Sequence, residues 1–263
     1  VKLGRYLRLA SILAGASVAV RLEYRANFVA NLVESLLRAA TVVLGLAVLY
    51  GDGLGVGGWS YAEATVLIGV FTIIESLMGM TMYPNLRRIA EAVRTGSMDF
   101  VLLKPVDGQF LVSAREIDVF RLPDLLIGLG FAIYGMLNVT TITLTGILTG
   151  MLLMVGSLGI AYALCFMLAT LAFWFVRVEN TLELFWGLYR AGQFPITAYP
   201  GWVRLLFTFV VPVAFMTTVP AQAIIGKPDW DGALGTLLFA TGLLAVSRAF
   251  WKFALRSYTS ASS

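Results

Sequence analysis

The sequence predicts an all-α integral membrane protein with six transmembrane helices, an N-terminal interfacial helix and a re-entrant hairpin before the last span. Three observations predict it. The 263 residues are 59% hydrophobic and 13% charged, with a mean hydropathy of +0.85. A soluble domain carries about 25% charged and about 45–50% apolar residues, so lipid has to be the solvent for much of this chain. The apolar residues fall into runs near the roughly 20 residues a membrane helix needs. Basic residues gather in alternate breaks between those runs, as the positive-inside rule requires of cytoplasmic loops.

Residues 1–25 mix Leu3, Leu7, Ile12 and Val18 with Lys2, Arg5, Arg8, Arg21, Glu23 and Arg25. This mixture predicts an amphipathic helix lying at the membrane surface. No n-region, apolar core and cleavage pattern opens the chain, so the segment reads as retained protein and not as a signal peptide. The first span is expected over about 27–50, ending in Gly51-Asp52-Gly53 with Gly55, Gly57 and Gly58 following: a loop. The second is expected over 62–83, stopping at Pro84. A polar stretch, 85–121, separates it from a short third span at 122–137. The fourth run, 144–176, exceeds the membrane's thickness and must tilt or protrude. The fifth is expected from near 180 to between Pro195 and Pro200. The last is expected over 233–255, with a polar tail.

Residues 201–226 are apolar but carry Pro212 and Pro220, with Pro200 and Trp202 at their start. Each proline removes a helical hydrogen bond. Irregular backbone is tolerated at membrane depth where protein buries it, which favours a re-entrant hairpin over a seventh span. Charge supports the same count. With six spans and the N-terminus inside, the inside segments hold 15 of the 19 basic residues. These are Lys2, Arg5, Arg8, Arg21 and Arg25, then Arg87, Arg88, Arg94, Lys104, Arg115 and Arg121, then Arg177, then Arg248, Lys252 and Arg256. Only Arg204 and Lys227 fall outside. Seven full spans would send the basic C-terminus outside.

Several function classes are excluded. The chain has no histidine and one cysteine, Cys165, so an intrachain disulfide, a cysteine metal cluster and histidine acid–base chemistry are all missing. The net charge of +4 is too small and scattered for a nucleic-acid surface. No Gly-x-x-x-x-Gly-Lys-Ser/Thr phosphate loop is present, so any ATP-driven machine built from this chain borrows its motor from another polypeptide.

The 85–121 stretch is the most informative. Leu86, Ile89 and Val93 fall on one face of a short helix, and Arg87, Arg88, Glu91 and Arg94 line the rest. Gly96 suits a C-cap; Asp99 follows; Asp107 suits the N-cap of a second amphipathic helix carrying Phe110, Leu111, Ile117 and Phe120. From these residues alone, a docking element and a solvated loop are both open. The phrase VRTGSMDFVLLKPVDGQFLVS resembles the cytoplasmic loop of type-2 ABC exporter permeases, in particular a bacterial subgroup of them. Glu23-Tyr24-Arg25-Ala26-Asn27-Phe28 and Ala198-Tyr199-Pro200-Gly201-Trp202, the latter leading to Val211-Pro212-Val213-Ala214-Phe215 and Val219-Pro220-Ala221, resemble the same group.

The resemblance implies a permease domain over 1–263, with a connecting helix at 1–25, a cytoplasmic coupling loop at 85–121 and re-entrant helices at 201–226. Its coupling helix would be about 86–95, so Leu86, Arg87, Arg88, Ile89, Glu91, Val93, Arg94, Gly96 and Asp99 become candidate ATPase-coupling residues. Two permeases, this chain with a second copy or with a relative, would sit on a dimer of ABC ATP-binding subunits in the bacterial inner membrane. Both termini would be cytoplasmic. ATP and Mg would bind the partner ATPase, and this chain would bind no cofactor and no nucleic acid.

Five charges fall inside expected spans. Glu34 and Arg38 are four apart and can pair on one helix face. Glu75 has no partner on its own helix. Glu183 and Arg190 lie seven apart, two turns along one face. A central charge costs about 2.5–3.5 kcal/mol on insertion scales, so each should face protein or water. They either line a pathway or form structural pairs. Gly146-x-x-x-Gly150 matches a close-packing motif, and Trp174, Trp186 and Trp202 suit interfacial anchors. The rival function is an ion-coupled transporter or channel with Glu75 and Glu183 carrying protons; such folds often show inverted repeats, and none is visible here.

Overall fold

The computed structural model describes residues 2–22, 25–51, 55–175 and 179–258. Glu23, Tyr24, Asp52, Gly53, Val176, Arg177 and the polar tail at 259–263 lie outside the described residues, with the expectations placed on them. Twelve α-helices run in order among the described residues. The first, α1 (Lys2–Leu22), covers most of the expected interfacial segment, and α2 (Arg25–Tyr50) follows it. Next come α3 (Tyr61–Thr81), α4 (Tyr83–Arg94), α5 (Met98–Leu102) and α6 (Gly108–Ser113). Then α7 (Leu122–Leu137) falls on the residues expected for the third span. The chain continues with α8 (Leu144–Thr170), α9 (Glu179–Tyr189), α10 (Gly201–Leu205), α11 (Val219–Ile224) and α12 (Trp230–Ser257).

Among the described residues, five helical stretches are long and apolar enough to cross a membrane: Ala26–Tyr50, Tyr61–Arg94, Val119–Leu137, Leu144–Phe173 and Trp230–Ser257. A sixth is counted if the bent pair Gly201–Val210 and Ala214–Ile224 is taken as one span. The chain is thus an all-α integral membrane protein. The segment expected as the fifth span is shorter than the others: α9 has 11 residues and passes into a 3-10 turn, Arg190–Gln193. Gly192 and Pro195 stand where a longer helix would continue.

Helix α3 ends at Thr81, and Pro84 lies in the first turn of the helix that follows. Helices α3 and α4 meet at Met82, which is αR and serves both ends, and the stretch Tyr61–Arg94 is one 34-residue rod. A proline in the first turn of a helix gives up an N–H that has no partner there anyway. The rod begins in a capping box between Ser60 and Glu63, and Lys227 Nζ lies 2.6 Å from Glu63.

Small residues set the packing. Helices α3 and α7 lie together along their length. A Cβ on Gly128 would stand 2.9 Å from the Ile73 backbone nitrogen, and one on Gly135 would stand 2.7 Å from that of Val66. Such a seam suits lipid, where helices associate by close packing and not by hydrophobic exclusion. On α8, Gly146 and Gly150 do mark a close approach, to the backbone of α11: a Cβ there would stand 2.6 Å from the Ala223 carbonyl and 3.0 Å from that of Pro220.

The proline-rich segment forms two arms bent by 77°. The bend falls at 211–213, with Pro212 at its centre. The first arm carries an exposed Trp202; the second, from Ala214 onward, is buried. In the second arm the pairing runs i to i+5, and Val219 N–H donates to the Ala214 carbonyl. The next donor in that row would be Pro220, which has none. The Phe215 carbonyl instead accepts Ser157 Oγ of α8 at 3.2 Å and Thr236 Oγ1 of α12 at 3.4 Å. Neighbouring helices thus satisfy the backbone that proline leaves open.

Candidate functional site: a charged cavity and an arginine-faced rod

A cavity of about 510 Å³ opens among α2, α3, the start of α7 and α9. All five charges expected inside the spans, Glu34, Arg38, Glu75, Glu183 and Arg190, line it. Arg38 is the hub. Its guanidinium lies 2.8 Å from Glu34 on the same helix, 4.0 Å from Glu75 on α3 and 3.9 Å from Asp124 on α7. Arg121 adds a bond to Asp124 at 3.3 Å.

The spacing-based pair Glu34–Arg38 therefore forms, and Glu75 finds its partner across the helix interface. Glu183 and Arg190 form no ion pair with each other among the described residues. Glu183 accepts a hydrogen bond from Tyr83 Oη instead. A seven-residue separation puts two side chains about 10 Å apart along the axis, beyond contact distance. Trp186 lies between them and lines the cavity, edge-on to Tyr83 at 5.9 Å between centroids.

Arg121, Asp124, Tyr83 and Ser76 were not legible as cavity residues. Arg121 and Asp124 flank the start of α7, where an acidic first-turn residue reads as an ordinary helix-end preference. Only the approach of α2 turns them inward.

The rod's far end, α4, has two unlike faces. Leu86 and Ile89 are buried in the main core, and half-buried Val93 packs against it. These three belong to an anchoring face and not to an exposed one. Asn85 is buried, and its side chain donates to the Thr81 and Glu116 carbonyls and accepts from the Arg115 and Glu116 N–H groups. That set of bonds ties the 114–117 segment to the rod. Arg87, Arg88, Glu91 and Arg94 are exposed. Gly96, at φ 72°, ends the helix in the left-handed region, and Asp99 sits half-buried in the first turn of α5.

Helix α1 closes a groove beside this face. Arg21 lies 2.9 Å from Asp118 and 3.8 Å from Glu116, which also pairs with Arg88 at 2.7 Å. Asp107 caps α6 by accepting from Phe110 N–H at 3.0 Å. It also takes Arg248 from α12 in a two-pronged pair, one prong at 2.9 Å. Burial pushes the Asp107 carboxyl up, but the Arg248 and Phe110 bonds outweigh it and hold the group below its ordinary value. Among the described residues no group of three or more carboxylates and thiols could hold a metal ion.

Residues 36–262 match the family model described as ABC-2 family transporter protein. This chain belongs to that family. The ABC-2 permease is the membrane subunit of an ABC transporter, and the family implies partnership with an ATP-binding subunit. The match spans the arginine-faced rod, the bent proline segment and every cavity residue but Glu34 and Ser35. No curated protein matches the chain.

Proposed function

We propose that this ABC-2 permease is one half of the translocation pathway of an ATP-driven exporter. Two permeases, identical or related, sit on a dimer of ATP-binding subunits that carry the ATP and Mg. The chain itself is non-catalytic. Its termini and the α4 end of the bundle face the cytoplasm of a bacterium, and the bent pair at 201–224 enters the membrane from the opposite side.

One observation carries the reading. The 34-residue rod presents Arg87, Arg88, Glu91 and Arg94 at one end and Thr72, Glu75 and Ser76 to the cavity further along. Helix α4 follows α3 across the single residue Met82, a short link through which displacement of one helix is passed to the other. Force applied by an ATPase to the arginine face therefore reaches the cavity wall, while Leu86, Ile89 and Asn85 keep the rod seated.

The test is a coupled assay on vesicles holding the permease and its ATP-binding subunit. Replacing Arg87, Arg88 and Arg94 together with Glu should leave membrane insertion intact and abolish stimulation of ATP hydrolysis and transport. Wild-type transport in that variant, or purification with no ATP-binding subunit, removes the reading. Transport that survives ATP depletion but collapses with the proton gradient marks an ion-driven carrier instead.

A further inference from the structure

We propose that the charged cavity binds an amphiphilic ammonium: a positive head bearing N–H donors on an apolar tail. The proposal deepens the reading of the cavity as part of a translocation pathway and rests on it for physiological meaning. Binding itself needs neither ATP nor a partner subunit.

Charge selects the sign. Four carboxylates and three guanidiniums line the cavity. Three of the carboxylates share the Arg38 and Arg121 guanidiniums at 2.8–4.0 Å; with all three ionised, that cluster carries one negative charge in excess. The fourth, Glu183, has a neutral tyrosine hydroxyl as its partner. Arg190 stands in the 3-10 turn after α9, and the Arg87 guanidinium lies 6.0 Å from the centroid of the Tyr83 ring, so neither forms an ion pair with Glu183 among the described residues. Beside Glu183 the Trp186 ring stands edge-on to Tyr83; Arg87 already takes the Tyr83 ring, and the Trp186 ring remains to attract a ligand cation.

A second, independent observation points to a polar ligand group. Ser76 Oγ is buried and has no hydrogen-bond partner among the described residues, and the residue is 2% exposed. Other buried hydroxyls in these helices bond back to the carbonyl four residues earlier. Thr65 does so at 2.7 Å, Ser157 at 2.8 Å and Thr170 at 2.7 Å. Ser76 does not, and it lines the cavity beside Glu75. A buried hydroxyl without a partner is costly; it can accept from an ammonium N–H and can also donate, so the charged lining and not Ser76 sets the sign of the head. The same chamber offers Ile127 and Phe131 to an apolar tail.

The experiment is equilibrium dialysis at neutral pH with radiolabelled octylammonium. The purified permease sits in nanodiscs of zwitterionic lipid, and empty discs correct for partition. Octyl sulfate, with the same tail and the opposite charge, is the control. Octylammonium should saturate a site and octyl sulfate should not. Glu183→Gln and Glu34→Gln should each weaken octylammonium at least about fivefold, and Ser76→Ala about threefold. Glu34 is 65% exposed in its side chain, so its variant tests charge with little risk to folding. Equal saturation by octyl sulfate, no saturable octylammonium, or unchanged affinity in both carboxylate variants overturns the proposal. No ATPase enters the measurement, so loss of the exporter reading leaves its result standing.

Discussion

Arg38 holds together residues that are far apart in the chain. It is 38% exposed in its side chain, whereas Asp124 is 9% and Glu75 is 18% exposed. Removing the guanidinium leaves two largely buried carboxylates near one another, with Arg121 and Arg190 left to offset them. Arg38→Ala should therefore lower stability by about 1–3 kcal/mol, less than a fully buried pair loses, because solvent reaches the rim of the cavity. Thermal unfolding in detergent measures it. Glu75→Gln added to Arg38→Ala should recover part of the loss, because it removes the carboxylate left without its cation. Strictly additive losses would show that the two residues act independently.

At the scale of elements, the α3–α7 seam depends on glycine. Gly128→Leu places a side chain where the Ile73 backbone nitrogen already stands within 2.9 Å of a Cβ. The helices must part or tilt, at a cost of about 1–3 kcal/mol, and the loss should appear as a lower unfolding midpoint in nanodiscs. The α6–α12 junction depends on charge. Asp107 is held below its ordinary value, so its contribution is present above the unfolded carboxyl value of about 3.9 and is lost as pH falls through the folded value. The unfolding midpoint should be flat near neutrality and fall in this acid range. Asp107→Asn should lower the midpoint at pH 7 by the equivalent of about 1 kcal/mol and flatten part of the acid fall. An unchanged acid limb in that variant would assign the fall to other carboxylates.

For the whole molecule, the decisive property is continuity between the arginine face and the cavity wall. Ala90→Pro introduces a break inside α4, between Arg87 and Arg94. Proline in a helix interior removes a hydrogen bond and costs about 3 kcal/mol or more. In the reconstituted transporter, ATP hydrolysis should persist while transport falls at least about tenfold. Equal losses of both activities would mean that α4 is needed for docking and not for transmission.

Composition, hydropathy and charge asymmetry were enough to determine the membrane class, the all-α fold and the third span at 122–137. Each of these follows from solvent preference and backbone satisfaction, which act residue by residue along a segment. The same local logic found the Gly96 cap and the Glu34–Arg38 pair, whose partners lie within a turn or two. Tertiary structure alone decided that Arg38 meets Glu75 and Asp124, that Leu86 and Ile89 face inward, and that α3 and α4 follow each other across Met82 in one 34-residue stretch. It alone left Glu183 to Tyr83 and the Phe215 carbonyl to Ser157 and Thr236. Those outcomes depend on which helix lies beside which, and that arrangement comes from packing between segments distant in the chain, where sequence spacing carries no distance information.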